Sequence, residues 1–208
     1  MTKLLIKAIS FFSYLPIFFG KFRLFDLFVK FYFLFGKESI IKKKLKDQTI
    51  MKLSLLSLEK FVICNGHYDK NEINFIKSFT NVNKNILDVG ANVGLYTIAL
   101  ANHIHKNNGN GKIFAYEPEL NNFKSLKTNV SLNKFEQYVV INNFGLSNAN
   151  KEAELVLREG YESGSITGNA SITSSEEMDR NFKRQIVKLK KLDEIFLSNY
   201  NFGLVDLI

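Results

Sequence analysis

Hydrophobic spacing changes character along the chain. From Phe18 to Lys37, taken at about 100° per residue, Arg23, Asp26, Lys30 and Lys37 share one narrow stripe. Phe22, Phe25, Phe28, Val29, Phe31, Tyr32 and Phe35 fill the broad remainder, with Lys21 the exception near the start. That pattern predicts an amphipathic helix. Residues 47–80 read as a connecting helical region, where Asp69 and Glu72 ahead of Ile73, Phe75, Ile76 and Phe79 resemble a capped helix start. Beyond residue 80 short apolar runs alternate with helical ones. Ile86 to Val89 predicts a buried strand, and Leu95, Ile98, Ala99 and Ala101 a helix after the Gly90/Gly94 turn. Residues 111–116 predict a second strand, 121–133 a crossover helix, 138–142 a third strand and 204–208 a fourth. Repeated strand–helix–strand units imply right-handed crossovers and a parallel sheet, hence an α/β fold. Ala153 to Leu157 and Ile186 to Lys191 alternate instead, around a polar loop from Gly160 to Ser175. This is a β-insertion whose loop would shape a substrate mouth, and Ser165, Asn169 and Ser171 either meet a substrate there or are simply solvated.

Charge sharpens the division. The 208 residues carry a net charge of +8. Residues 1–46 hold ten basic and two acidic groups, together with 10 of the 20 phenylalanines, so the rest of the chain is neutral. Three segments follow: a basic, Phe-rich helical extension (1–46), the connecting region (47–80) and an α/β domain (81–208). The extension has two readings. Its helix packs on the body with the charged stripe in water, or it lies in a membrane interface with phenylalanines at the acyl boundary and lysines on anionic headgroups. The longest charge-free run, Ala8 to Gly20, is interrupted by Pro16 and is shorter than the roughly 20 residues a bilayer span needs. No small-residue cleavage site follows it. A single cysteine, Cys64, excludes a disulfide framework and a multi-cysteine zinc site, and three histidines leave little for any metal cluster. The expected location is cytoplasmic, with peripheral membrane contact through residues 1–46 left open. Cys64 and His67 read as structural.

The chemistry concentrates in Asp88-Val-Gly-Ala-Asn-Val-Gly94. Glycines at a strand-to-helix turn let the backbone bend and approach a ligand. The second glycine comes four residues after the first, so this is not the dinucleotide fingerprint. Asp88 at the strand end would repel a pyrophosphate and welcome a cationic amino-acid portion. Glu117 ends the second strand 23 positions after Gly94, where a carboxylate can accept hydrogen bonds from both ribose hydroxyls. Asn129 and Asn133 read as helix-end caps rather than ligand contacts.

With Tyr116-Glu-Pro and Asn121, Leu126-x-x-Asn129-x-x-x-Asn133, Gly145-Leu-Ser-Asn before Lys151-Glu-Ala-Glu-Leu, and Leu192-Asp-Glu-Ile195, this motif resembles the S-adenosylmethionine-dependent methyltransferases of the FkbM family, over about residues 68–208. The resemblance implies a Rossmann-like class I methyltransferase sheet and S-adenosylmethionine as cofactor. The implied cofactor set is Asp88, Gly90, Ala91, Asn92, Gly94, Tyr96, Glu117, Asn143 and Phe144. Within it, Gly90–Gly94 would wrap the methionine portion, Asp88 lie near its amino group, Glu117 hold the ribose, and Asn143-Phe144 flank the adenine. The implied reaction is O-methylation of a hydroxyl on a small molecule or glycan, with no residue marked as catalytic and no metal. The family's acidic acceptor segment and further strands would follow the fourth strand, so an incomplete sheet with a hydrophobic edge is expected where the chain reaches Ile208. The alternatives are an RNA methyltransferase, which the neutral body disfavours, and an inactive cofactor-binding fragment.

Overall fold

The first apolar stripe closes on itself before the α/β region begins. The computed structural model describes residues 1–67, 69–157, 171–172, 183–198 and 205–207. Among these the chain divides into two units between Asp69 and Lys70.

The first unit runs α1 (Thr2–Phe11), a 3-10 turn (Phe12–Tyr14), α2 (Lys21–Phe33), an antiparallel hairpin of β1 (Ile40–Lys44) and β2 (Ile50–Ser54), and α3 (Glu59–Asn65). Helix α2 buries Phe25, Val29 and Tyr32, positions spaced by four and three so that they share a face. Phe12 meets Phe25 and Phe28 edge-on, each at 5.3 Å between ring centroids, and Phe22 stacks on Phe61 at 4.0 Å. Asp26 is paired with Lys60 at 3.0 Å, and the Lys60 hydrogen bond is the largest influence holding its carboxyl below the usual range.

The hairpin departs from the helical reading of residues 40–54. Its register pairs Ile41 with Leu53 and Lys43 with Met51, all buried. An inward lysine conceals the period-two pattern, because Lys42-Lys43-Lys44 reads as a charge cluster. The connecting turn is shaped by Asp47, whose Oδ1 accepts from the Thr49 N–H at 3.0 Å and the Thr49 hydroxyl at 2.6 Å. Lys43 Nζ donates to the Ser10 carbonyl at 2.5 Å and to Ser13 Oγ at 2.7 Å. Burial, reinforced by Lys46, brings its pKa down to about 8. Cys64 is buried as well, and burial pushes its thiol up.

The second unit begins with α4 (Lys70–Phe79) and β3 (Asn85–Val89), then α5 (Leu95–Lys106), β4 (Ile113–Tyr116), α6 (Leu120–Leu132) and β5 (Val139–Asn142). A second sheet follows, made of β6 (Gly145–Ser147), β7 (Lys151–Leu157), β8 (Ser171–Ile172) and β9 (Lys183–Lys191), and then α7 (Leu192–Ser198) and β10 (Val205–Leu207). The central sheet has the order β10-β3-β4-β5 and is parallel throughout. Side chains alternate between its faces. Ile86, Ile113 and Ala115 are buried, and on the other face Leu87 and Tyr116 gather Phe114, Phe144, Leu146, Leu192 and Ile195.

The insertion sheet has the order β6-β9-β7-β8. Leu155, Val156 and Leu157 are consecutively buried, so this half of β7 is covered on both faces and does not alternate as its sequence suggests. Strands β8 and β9 pair with β7 along its two edges. The loop residues Ser165 and Asn169, with most of 160–175, lie outside the described residues. Among the described residues no helix is long and apolar enough to cross a membrane.

Lys43 generates a prediction. Its pKa is about 8 when folded and near 10.5 when unfolded, so the unfolded chain binds the extra proton between those values. Stability relative to Lys43→Met should therefore rise as pH increases from about 8 towards 10.5, measured by urea denaturation. A flat difference across that window contradicts the buried ammonium.

Candidate cofactor-binding site

Strand β3 delivers the glycine turn to the carboxyl edge of the parallel sheet. Gly90 and Ala91 N–H both donate to the Tyr116 carbonyl, at 2.9 and 3.0 Å, and Gly94 N–H donates to the Ala91 carbonyl at 2.8 Å. Gly90, Asn92 and Gly94 have φ of 79°, 51° and 92°. The two glycines differ in surroundings. A Cβ on Gly94 would lie 2.5 Å from Leu126 Cδ1, whereas one on Gly90 would meet nothing within 4 Å. Gly94 is a packing position, and Gly90 faces open space at the sheet edge. From below, the fully buried Asn129 donates from Nδ2 to the Val93 carbonyl at 2.9 Å.

Two carboxylates leave adjacent strands at this edge. Asp88, half-buried, accepts a short hydrogen bond from the Thr97 hydroxyl in α5. Burial pushes its carboxyl up, and the Thr97 bond opposes this. Glu117 is only 5% exposed. Its Oε2 accepts from Asn92 N–H at 2.8 Å and its Oε1 from Glu119 N–H at 2.9 Å. Burial is the main cause of its raised pKa, with those two N–H groups opposing the rise and the Glu119 charge adding to it. Each carboxylate oxygen has more than one acceptor position, so Glu117 can still receive donors from a ligand. Glu119 caps α6, accepting from Asn122 N–H at 2.6 Å.

Asn143, directly after β5, donates from Nδ2 to the carbonyls of Glu117 (2.9 Å) and Pro118 (3.2 Å), tying two strand exits together. Half-buried Phe144 sets its ring 5.4 Å from that of Tyr116 and beneath Lys190 Nζ at 4.5 Å. Tyr116 is 1% exposed, its hydroxyl finds no partner among the described residues, and burial pushes its pKa up to about 12.

The structure thus gathers Asp88, Gly90, Ala91, Asn92, Gly94, Glu117, Asn143 and Phe144 around the ends of β3, β4 and β5. Tyr96 stands in the first turn of α5, half-buried. Asn133 does occupy the cap position of α6, and its Nδ2 donates to the Asn129 carbonyl at 2.7 Å. Asn129 does not: it lies inside the helix and braces the glycine turn. Its place on the buried face with Leu126 and Val130 was the available signal, since a polar side chain there needs a buried partner. Thr97, Glu119 and the Tyr116 hydroxyl had no comparable sequence signal. Among the described residues no group of three or more His, Cys, Asp or Glu side chains could hold a metal ion.

An open parallel sheet with a glycine turn after its first strand and a buried acid after its second defines a Rossmann-like α/β domain. The Methyltransferase FkbM domain family matches residues 88–208, more than half of the chain, and the chain belongs to that family. That family is one of methyltransferase domains. Partial structural likenesses exist to Methanocaldococcus jannaschii TYW2 in complex with AdoMet (TM-score 0.41, 22% identity, 52% of this chain and 44% of that one) and to Pyrococcus horikoshii TYW2 in complex with MeSAdo (0.42, 19%, 54% and 38%). The M. jannaschii tRNA m1G37 methyltransferase is similar to the same degree (0.37, 15%, 62% and 47%). The chain spans less than half the length of each, and likenesses this partial carry no statement about substrate. No curated protein matches the chain.

The two glycines give a paired prediction. Gly90→Ala should cost about 1 kcal/mol from its positive φ alone. Gly94→Ala should cost more, because Leu126 must also move. Asn129→Ala should cost about 1–3 kcal/mol by orphaning the buried Val93 carbonyl. Urea denaturation of the three variants checks the ranking, and equal costs at Gly90 and Gly94 would contradict it.

Proposed function

We propose that this edge binds S-adenosylmethionine and that the protein transfers its methyl group to a hydroxyl of a small molecule or glycan. The observation that carries the reading is the pairing of an open Gly90 with a buried, doubly braced Glu117 on neighbouring strand ends. The bound cofactor would supply an electrophilic methyl on a sulfonium. Glu117 accepts hydrogen bonds from the vicinal ribose hydroxyls, in an orientation held by Asn92 and Glu119 N–H. Gly90, Ala91, Asn92 and Gly94, with Tyr96 alongside, wrap the methionine portion, and Asp88 faces its ammonium. Asn143 and Phe144 border the adenine. Methyl transfer depends on in-line placement of the acceptor, so positioning dominates the rate. The acceptor class rests on family membership, and cytoplasmic location with peripheral membrane contact through residues 1–46 completes the proposal.

Calorimetry with S-adenosylmethionine tests the site. Glu117→Gln should weaken binding about 10- to 100-fold, the value of hydrogen bonds to a charged acceptor. Binding uses ionised Asp88 and Glu117, both with raised pKa values, so affinity should increase as pH rises through and above the ordinary carboxylate range. Asp88→Asn and Glu117→Gln should each remove part of that dependence. Undiminished affinity in Glu117→Gln would place the cofactor elsewhere. Radiolabelled methyl transfer to glycans and small hydroxyl compounds tests the acceptor, and salt-sensitive transfer to RNA instead would overturn that half of the reading.

A further inference from the structure

The first unit places its apolar residues on both sides of its helices, and only one side is used. Helix α2 packs inward through Phe25, Val29 and Tyr32, yet Leu24, Leu27, Phe31 and Leu34 form a second stripe that is exposed. Leu27, Phe31 and Leu34 line, with Leu5 of α1, an apolar groove of about 530 Å³. Between the 3-10 turn and α2 the chain makes a short loop whose tip, Ile17-Phe18-Phe19, is 85%, 43% and 99% exposed.

This loop is held from within rather than loose. Lys21, buried, donates from Nζ to the Leu15 carbonyl at 3.0 Å, and its N–H donates to the Phe18 carbonyl at 3.2 Å. Gly20 takes φ of 84° to join the loop to α2. Lys43 holds the preceding turn through Ser10 and Ser13. Two buried ammonium groups therefore brace a loop that presents three large apolar side chains to solvent. In an isolated chain in water such exposure is unfavourable by the hydrophobic effect.

The exposed charge of residues 1–46 points to the occupant. Lys3, Lys7, Arg23, Lys37, Lys42 and Lys44 are all exposed, against Glu38 as the exposed acid of residues 1–46, with Asp26 engaged by Lys60 and Lys30. Apolar tip, apolar helix stripe and the exposed cations of the same segment match an anionic lipid surface in chemistry and in sign. We propose that the Ile17–Phe19 loop inserts into the acyl boundary of an anionic membrane, that the Leu24/Leu27/Phe31/Leu34 face of α2 lies in the interface beside it, and that the exposed cations contact the headgroups. The proposal rests on and deepens the membrane contact of residues 1–46 proposed above, and it does not depend on the cofactor reading.

The chain contains no tryptophan, so Phe19→Trp makes a single reporter at the tip. Its emission should shift to the blue on adding vesicles of phosphatidylcholine containing phosphatidylglycerol, and brominated acyl chains should quench it. Vesicles of phosphatidylcholine alone should bind weakly, and added salt should weaken binding to the anionic ones. In the full chain the combined Ile17→Ser, Phe18→Ser and Phe19→Ser variant should lose at least about tenfold in vesicle affinity while keeping its melting temperature, since these side chains are exposed. Removal of one exposed cation, Lys7→Ala, should cost about fivefold. Unchanged affinity in the serine variant overturns the proposal, and so does tryptophan emission that ignores vesicles. An emission shift that follows protein concentration without lipid also overturns it, because the loop is then covered by a second copy.

Discussion

Glu117 is the point on which the candidate site depends. One carboxylate, buried at the exit of β4, accepts from the backbone of the glycine turn through Asn92 and from the start of α6 through Glu119. Removing such a group from water carries a desolvation cost, visible in its raised pKa and only partly offset by the two N–H donors. That unrelieved cost is what a ligand with neighbouring hydroxyl donors would relieve. The same carboxylate braces the turn, so the local architecture and the proposed binding rest on one side chain. Asn129 supports the turn from the opposite side through the Val93 carbonyl, and Asn143 joins the exits of β4 and β5. A site built from backbone groups needs such bracing, because loop atoms are otherwise free to move.

The first unit solves a comparable problem with the opposite charge. Lys21 and Lys43 enter the interior and turn their ammonium groups to carbonyl and hydroxyl oxygens of residues 10–15. Lysine is rarely buried without a partner, and these two have backbone carbonyls rather than carboxylates. Part of the +8 is therefore internal scaffolding, and the remainder is a surface property of the same small unit. Residues 47–208 carry as many basic as acidic groups, so the net charge of the chain belongs to residues 1–46.

Much of the second unit was legible because its signals are local. Ile86 to Val89 and Tyr138 to Asn142 are short apolar runs flanked by turn residues, and each becomes a strand of the parallel sheet. Gly90, Gly94 and Glu117 could be placed at one edge from their spacing, since parallel strands joined by helices bring their carboxyl ends together. The hairpin over residues 40–54 was not legible, because Lys43 reads as solvent-seeking and its compensation by Ser10 and Ser13 comes from residues 30 or more positions away. Val156 misled in the same way: an alternating sequence says nothing about whether both faces of its strand are covered.

By itself the sequence determined the α/β alternation, the family, the glycine turn and the acid after the second strand, all consequences of residue type and spacing along a few dozen positions. Tertiary structure alone decided that Glu117 is buried and doubly braced, that Asn129 serves the turn instead of a helix end, and that Lys43 points inward. It also decided which apolar residues of α2 are spent on a core and which stay exposed. These outcomes turn on partners distant in the chain, and burial with its electrostatic consequences exists only once those partners have met.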